Sequence, residues 1–192
     1  MDKDDTPISH DGELEMRRRL PSRIKMNEKM LAKQVLDHIE PSLAGFIERQ
    51  PFFFMATASD VGARDANFRG RDTSIAGRPL PLLKIADPKT ILFPDFAGNG
   101  FYNSLGNIHQ NPQIGMLFID FTEQQRARVN GSAFIEDVGS AEAEIWPKAQ
   151  AIIRVQVEQA YRNCPARIPK MKTYANSDKM VQFGKMRRPK RP

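Results

Sequence analysis

The sequence predicts a mainly β chain, antiparallel strands with a few flanking helices. Three observations carry this expectation. Between residues 78 and 131, short apolar runs and turn residues follow one another as strand, turn, strand, glycine-rich corner, short helix, strand, turn, strand. In residues 151–161 (AIIRVQVEQAY), Ile153, Val155 and Val157 fall on one face and Arg154, Gln156 and Glu158 on the other, the period of a half-buried strand. The longest helical spacing lies upstream of the strands, in residues 24–49.

Taken in order, residues 1–20 are polar with mixed charge and are expected to form a flexible arm. Leu31, Val35, Leu36 and Ile39 recur at helical spacing, so a helix is expected over 24–40, stopped by Pro41. A second, capped by Ser42, should run to Arg49 with Leu43, Phe46 and Ile47 inward. Residues 52–59 (FFFMATAS) form the first strand, and their consecutive phenylalanines suit burial on both sides. A turn at Asp60-Val61-Gly62 precedes a return strand beginning at Asn67, and residues 71–79 form a polar loop.

Leu82, Leu83 and Ile85 then make an apolar run that ends at Asp87-Pro88-Lys89, where proline suits a turn. Ile91, Leu92, Phe93 and Phe96 make the next, broken by Gly98-Asn99-Gly100. A short helix over 101–110 closes at Asn111-Pro112, because proline cannot continue it. Strands follow at 114–119 and 126–137, a helix at 140–149, and the alternating closing strand. Beyond Tyr174 weak order is expected.

At 192 residues, with 40% hydrophobic and 27% charged residues, the composition is that of one soluble globular domain. No apolar run is long enough to span a bilayer and the first residues do not read as a signal peptide, so neither a membrane partner nor export is expected. The single cysteine excludes an intramolecular disulfide and fits a reducing cytoplasm. The formal net charge is +6, but Lys185, Arg187, Arg188, Lys190 and Arg191 supply five of it. The net basicity is therefore largely a property of the tail. That argues against nucleic acid as the main partner, although a Lys/Arg-rich end can engage a polyanion.

Catalytic motifs are absent: no G-x-S-x-G, no C-x-x-C, no H-E-x-x-H. His10, His38 and His109 have no ligand spacing, so no metal is expected. Cys164 reads as a small structural thiol and Trp146 as packing area. If the protein is an enzyme, a cofactor carries the reaction.

The segment Leu82–Lys89 (LLK-x-x-D-x-K), the small corner at Ala97–Gly100, the Asn-Pro that ends the helix, and R-x-R-V-x-G at Arg126–Gly131 together resemble the pyridoxamine 5'-phosphate oxidase family. The resemblance covers the middle half of the chain and implies a flavin-binding split β-barrel of six or so antiparallel strands behind N-terminal helices. The expected organisation is an arm at 1–20, the barrel domain at 21–175 and a basic tail at 176–192. It further implies non-covalent FMN, a homodimer with the flavin at the subunit interface, and redox chemistry on a small molecule.

Carried over residue by residue, Lys84 takes the place of a phosphate-contacting lysine. Phe93 and Pro94 take strand positions whose backbone lines the flavin. Asn99 stands where the family has a phosphate-binding arginine, and it brings a donor but no charge. Arg78 lies one place from a second arginine position, which here is Pro79. Arg69, like Arg78, could replace the lost cation. Asn103 and Ser104 would add contacts at the start of the helix, where free N–H groups and a positive dipole end suit a phosphate.

Arg126 stands where a glutamine meets the isoalloxazine ring; an ion pair with Asp120 or Glu123 would explain it equally. The family's carboxy-terminal W…R-L-H-D-R signature is missing, so activity on pyridoxamine 5'-phosphate itself is not expected. The alternatives are a split barrel using haem or a deazaflavin, and a non-enzymatic binding module with a polyanion-binding tail.

Overall fold

The computed structural model describes residues 8–74 and 76–171. The basic tail expected at 176–192, and with it the weak order expected beyond Tyr174, lies outside the described residues. The element order is α1 (Asp11–Arg19), α2 (Glu28–Ala32), α3 (Pro41–Arg49), β1 (Phe52–Ala58), β2 (Arg64–Gly70), β3 (Lys84–Asp87), β4 (Thr90–Phe96), α4 (Asn103–Gln110), β5 (Gln113–Asp120), β6 (Gln125–Glu136), α5 (Ser140–Ile145) and β7 (Ala149–Asn163). The seven strands form one antiparallel sheet in the order β2-β1-β5-β6-β7-β4-β3. β2 and β3 are its edges, so the sheet curls without closing. Phe46, Ile47, Phe53, Met55, Ile91, Phe93, Met116, Phe118, Val129 and Ile153 fill the hollow as one apolar cluster.

Most strand expectations hold to within a few residues, and the helical ones differ in instructive ways. Only Glu28–Ala32 of the expected 24–40 helix is helical. The following residues give their backbone groups to other elements: Leu36 exchanges hydrogen bonds with Ala160 of β7, and the Ile39 N–H donates to Pro88 O. Paired backbone outcompetes apolar spacing there. The same strap is tied down by Asp37, whose carboxyl Lys89 and His38 hold at about 2, below the usual range.

Pro41 starts α3 at its first turn instead of ending a helix, as suits a residue with no N–H to offer. Residues 11–19 of the expected flexible arm form a helix with a capping box between His10 and Glu13. α5 stops at Ile145, ahead of Pro147, and the fully buried Trp146 donates its indole N–H to Pro81 O at 2.7 Å.

The expectation that β1 is buried on both sides is corrected. Its residues alternate, Phe53 and Met55 inside and Phe54 39% exposed on the outer face. The reason is that nothing described packs over that face. There Phe52, Phe54, Phe68 and Phe121 meet one another, with ring centroids 5.1–6.5 Å apart.

Candidate functional site

The chain after β4 turns through Gly98-Asn99-Gly100, with Gly100 at φ +81°, and enters α4 from Tyr102, itself left-handed at φ +53°. This sharp entry leaves α4 without a side-chain cap at its N-terminus. Its first N–H groups have no intrahelical partner and concentrate positive potential at that end. They face a cavity of about 150 Å³ whose lining includes Asn67, Arg69, Asp95, Asn99, Asn103, Ser104 and Gln150, with Phe101 and Tyr102 exposed on the same corner.

The cavity walls are fixed by paired polar groups. Arg69 of β2 reaches across the open seam to Asp95 of β4 at 2.5 Å, and the Gln150 amide donates to the other Asp95 oxygen at 2.7 Å. The Ser104 hydroxyl donates to Asp65 at 2.5 Å and accepts from the Asn67 amide at 3.1 Å, which docks α4 on β2. One turn further on, the Asn107 amide donates to Thr57 Oγ1 at 3.1 Å. Asn99 Oδ1 accepts from the Phe101 N–H at 3.0 Å and holds the corner.

Of the residues expected at a site, Arg69, Asn99, Asn103 and Ser104 line this one cavity. Lys84 is exposed at the start of β3, paired with Leu92, and does not line it. Arg78 is exposed in the loop before β3, its N–H donating to Ser74 Oγ at 3.1 Å. Phe93 is core and Pro94 is buried, so only their backbone is on offer. Arg126 lies on the outer sheet face between Ile119 and Asn163, in a separate open cleft with Gln125, Arg162 and Pro165. Among the described residues it makes no ion pair with Asp120 or Glu123; Asp120 accepts instead from the Thr122 and Glu123 N–H groups.

Asn67, Asp95 and Gln150 are site residues that sequence reasoning missed. Asp95 carried a signal, since a carboxylate inside the run Phe93–Phe96 must be paired if the strand is buried. Among the described residues no cluster of His, Cys, Asp and Glu could hold a metal ion, and no helix is long and apolar enough to cross a membrane.

The family model described as Pyridoxamine 5'-phosphate oxidase matches residues 39–173. The chain belongs to this family. Among solved structures, HupZ of Group A Streptococcus is similar at 20% identity, over 65% of this chain and 93% of that one, with a TM-score of 0.51. A pyridoxamine 5'-phosphate oxidase candidate from Lactobacillus delbrueckii is similar at 12% identity, over 67% and 98%, with a TM-score of 0.50. Both share the split-barrel fold. No curated protein sequence matches significantly.

The FMN that the family resemblance implies fits this corner in part. The helix end, Asn103 and Asn99 provide donors for a phosphate. The cation beside them, Arg69, is already neutralised by Asp95, so hydrogen bonds rather than net charge would hold the anion. At about 150 Å³ the cavity takes a fragment, not a whole cofactor, for which sites of about 300 Å³ or more are usual.

Proposed function

We propose that this member of the pyridoxamine 5'-phosphate oxidase family binds FMN at the corner between β4 and α4 and acts as a flavin-dependent oxidoreductase on a small molecule. The observation that carries this reading is the uncapped N-terminus of α4, opening onto a donor-lined cavity at the corner where the resemblance sets the phosphate. Bound FMN supplies two-electron chemistry, and the protein supplies orientation and a shaped site. Asn99, Asn103 and the first α4 N–H groups would bind the phosphate. The Arg69–Asp95–Gln150 and Ser104–Asp65 links would keep those donors in register.

The reading includes a homodimer. One copy offers a cavity too small for the cofactor, while half-buried Arg126 lies in an open cleft on the outer sheet face, the face on which Phe54 and Phe68 are exposed. Pairing two copies through that face would bury the rings and allow Arg126 of one copy to meet the isoalloxazine held by the other. Lys84 remains proposed as a phosphate contact, which requires its flexible side chain to turn toward the corner.

The neutralised Arg69 favours a second reading, in which the ligand is held mainly by its ring system and is haem or a deazaflavin. The test is a titration of FMN fluorescence with the wild type and with Asn99→Arg. Saturable quenching by the wild type, tightened about tenfold by the restored corner cation, is expected. No quenching by either protein would overturn the reading, and quenching that Asn99→Arg leaves unchanged would remove the phosphate from the corner.

A further inference from the structure

We propose that the N-terminal segment 16–33 docks this protein on an anionic lipid surface, because two exposed aliphatic side chains, Leu20 and Ile24, project from a loop flanked by unneutralised arginine and lysine. Leu20 is 63% and Ile24 62% exposed. They bracket Pro21-Ser22-Arg23, where the chain leaves α1 and makes a tight bend held by the Ile24 N–H on Ser22 Oγ at 3.2 Å and the Met26 N–H on Ile24 O at 3.1 Å. Neither α1 nor α2 has a buried residue, so this whole segment lies outside the core. Met16 and Met30 add further exposed apolar surface.

The charge around these side chains is one-sided. Residues 16–33 hold seven lysines and arginines against one glutamate. Arg17 is paired with that Glu28 at 2.9 Å and Arg18 with Glu15 at 2.9 Å. Among the described residues Arg19, Arg23, Lys25, Lys29 and Lys33 make no ion pair. The acidic Asp11 and Glu13 lie in the first turn of α1, at its far end.

Leu20 and Ile24 are thus flanked along the chain by the cations Arg19, Arg23 and Lys25, the pattern that suits a surface of negative headgroups over apolar chains. Cations near such a surface gain electrostatically, aliphatic side chains gain by leaving water, and arginine and lysine stems can follow them while keeping their charges at the headgroups. Single-stranded nucleic acid is the poorer match. It is typically bound on aromatic platforms, and residues 8–33 contain no Phe, Tyr or Trp. The expectation of no membrane partner rested on the lack of a span, and lying on a surface needs none.

The test is flotation of the full chain with vesicles of phosphatidylcholine alone or with added phosphatidylserine. Three proteins are compared: the wild type, Leu20→Ser with Ile24→Ser, and a variant lacking residues 185–192. The two serines replace exposed side chains, and matched thermal midpoints would verify folding. Binding only to the phosphatidylserine vesicles, weakened by salt, reduced about tenfold or more by the two serines and retained without the tail, is expected. No binding, binding indifferent to the serines, or binding lost with the tail would overturn the proposal. So would a labelled single-stranded oligonucleotide being bound where vesicles are not.

Discussion

A carboxylate in an apolar strand must find a cation or give up its charge, and Asp95, only 6% exposed, finds Arg69 and Gln150. Removing it would leave Arg69 largely buried and unbalanced. Asp95→Ala is therefore expected to cost about 2–4 kcal/mol in denaturant unfolding, below the full penalty for a buried pair because Arg69 keeps some contact with water. Unchanged stability would mean that the pair across the seam contributes nothing.

At this scale the sequence was legible where site residues are neighbours in the chain. Asn99, Asn103 and Ser104 come together because one corner and one helical turn carry them. Asn67, Asp95 and Gln150 come from three strands and an ion pair across an open seam, which no local pattern encodes. Lys84, at the start of β3, and Arg78, in the loop before it, lie outside the lining of this cavity, and a motif spacing does not encode the direction either side chain takes.

Strands were legible as elements because alternation and turn residues are local, and the Asp87-Pro88-Lys89 turn joins β3 to β4 as its proline suggests. The helix expected over 24–40 was not, because the backbone of β7 and of the β3–β4 turn claimed its hydrogen-bonding groups. Gly131 marks another long-range constraint. It follows a register shift in the β6–β7 ladder, and a Cβ there would stand 2.0 Å from Gln156 O. That atom is backbone and cannot step aside, so Gly131→Ala should destabilise by about 2–3 kcal/mol or more in urea unfolding. A neutral Gly131→Ala would mean that the bulge shifts freely.

Over the whole molecule, the open antiparallel sheet was legible from the order of its runs, and its uncovered face was not. Three consecutive phenylalanines suggested burial on both sides, whereas Phe54 and Phe68 (57% exposed) face outward. A second copy would resolve this. Phe54→Ser with Phe68→Ser should shift size-exclusion elution from dimer to monomer while the isolated fold persists, since neither side chain supports the core. An elution volume that the pair of substitutions leaves unchanged would place any interface elsewhere.

The central claim concerns the cofactor, and an absorption spectrum tests it most directly: the purified protein is read before and after incubation with FMN and removal of the excess. Oxidised-flavin bands that stay with the protein at a dimer-sized elution volume are the predicted result. A Soret band in the purified protein, or no retained chromophore after incubation, would contradict it.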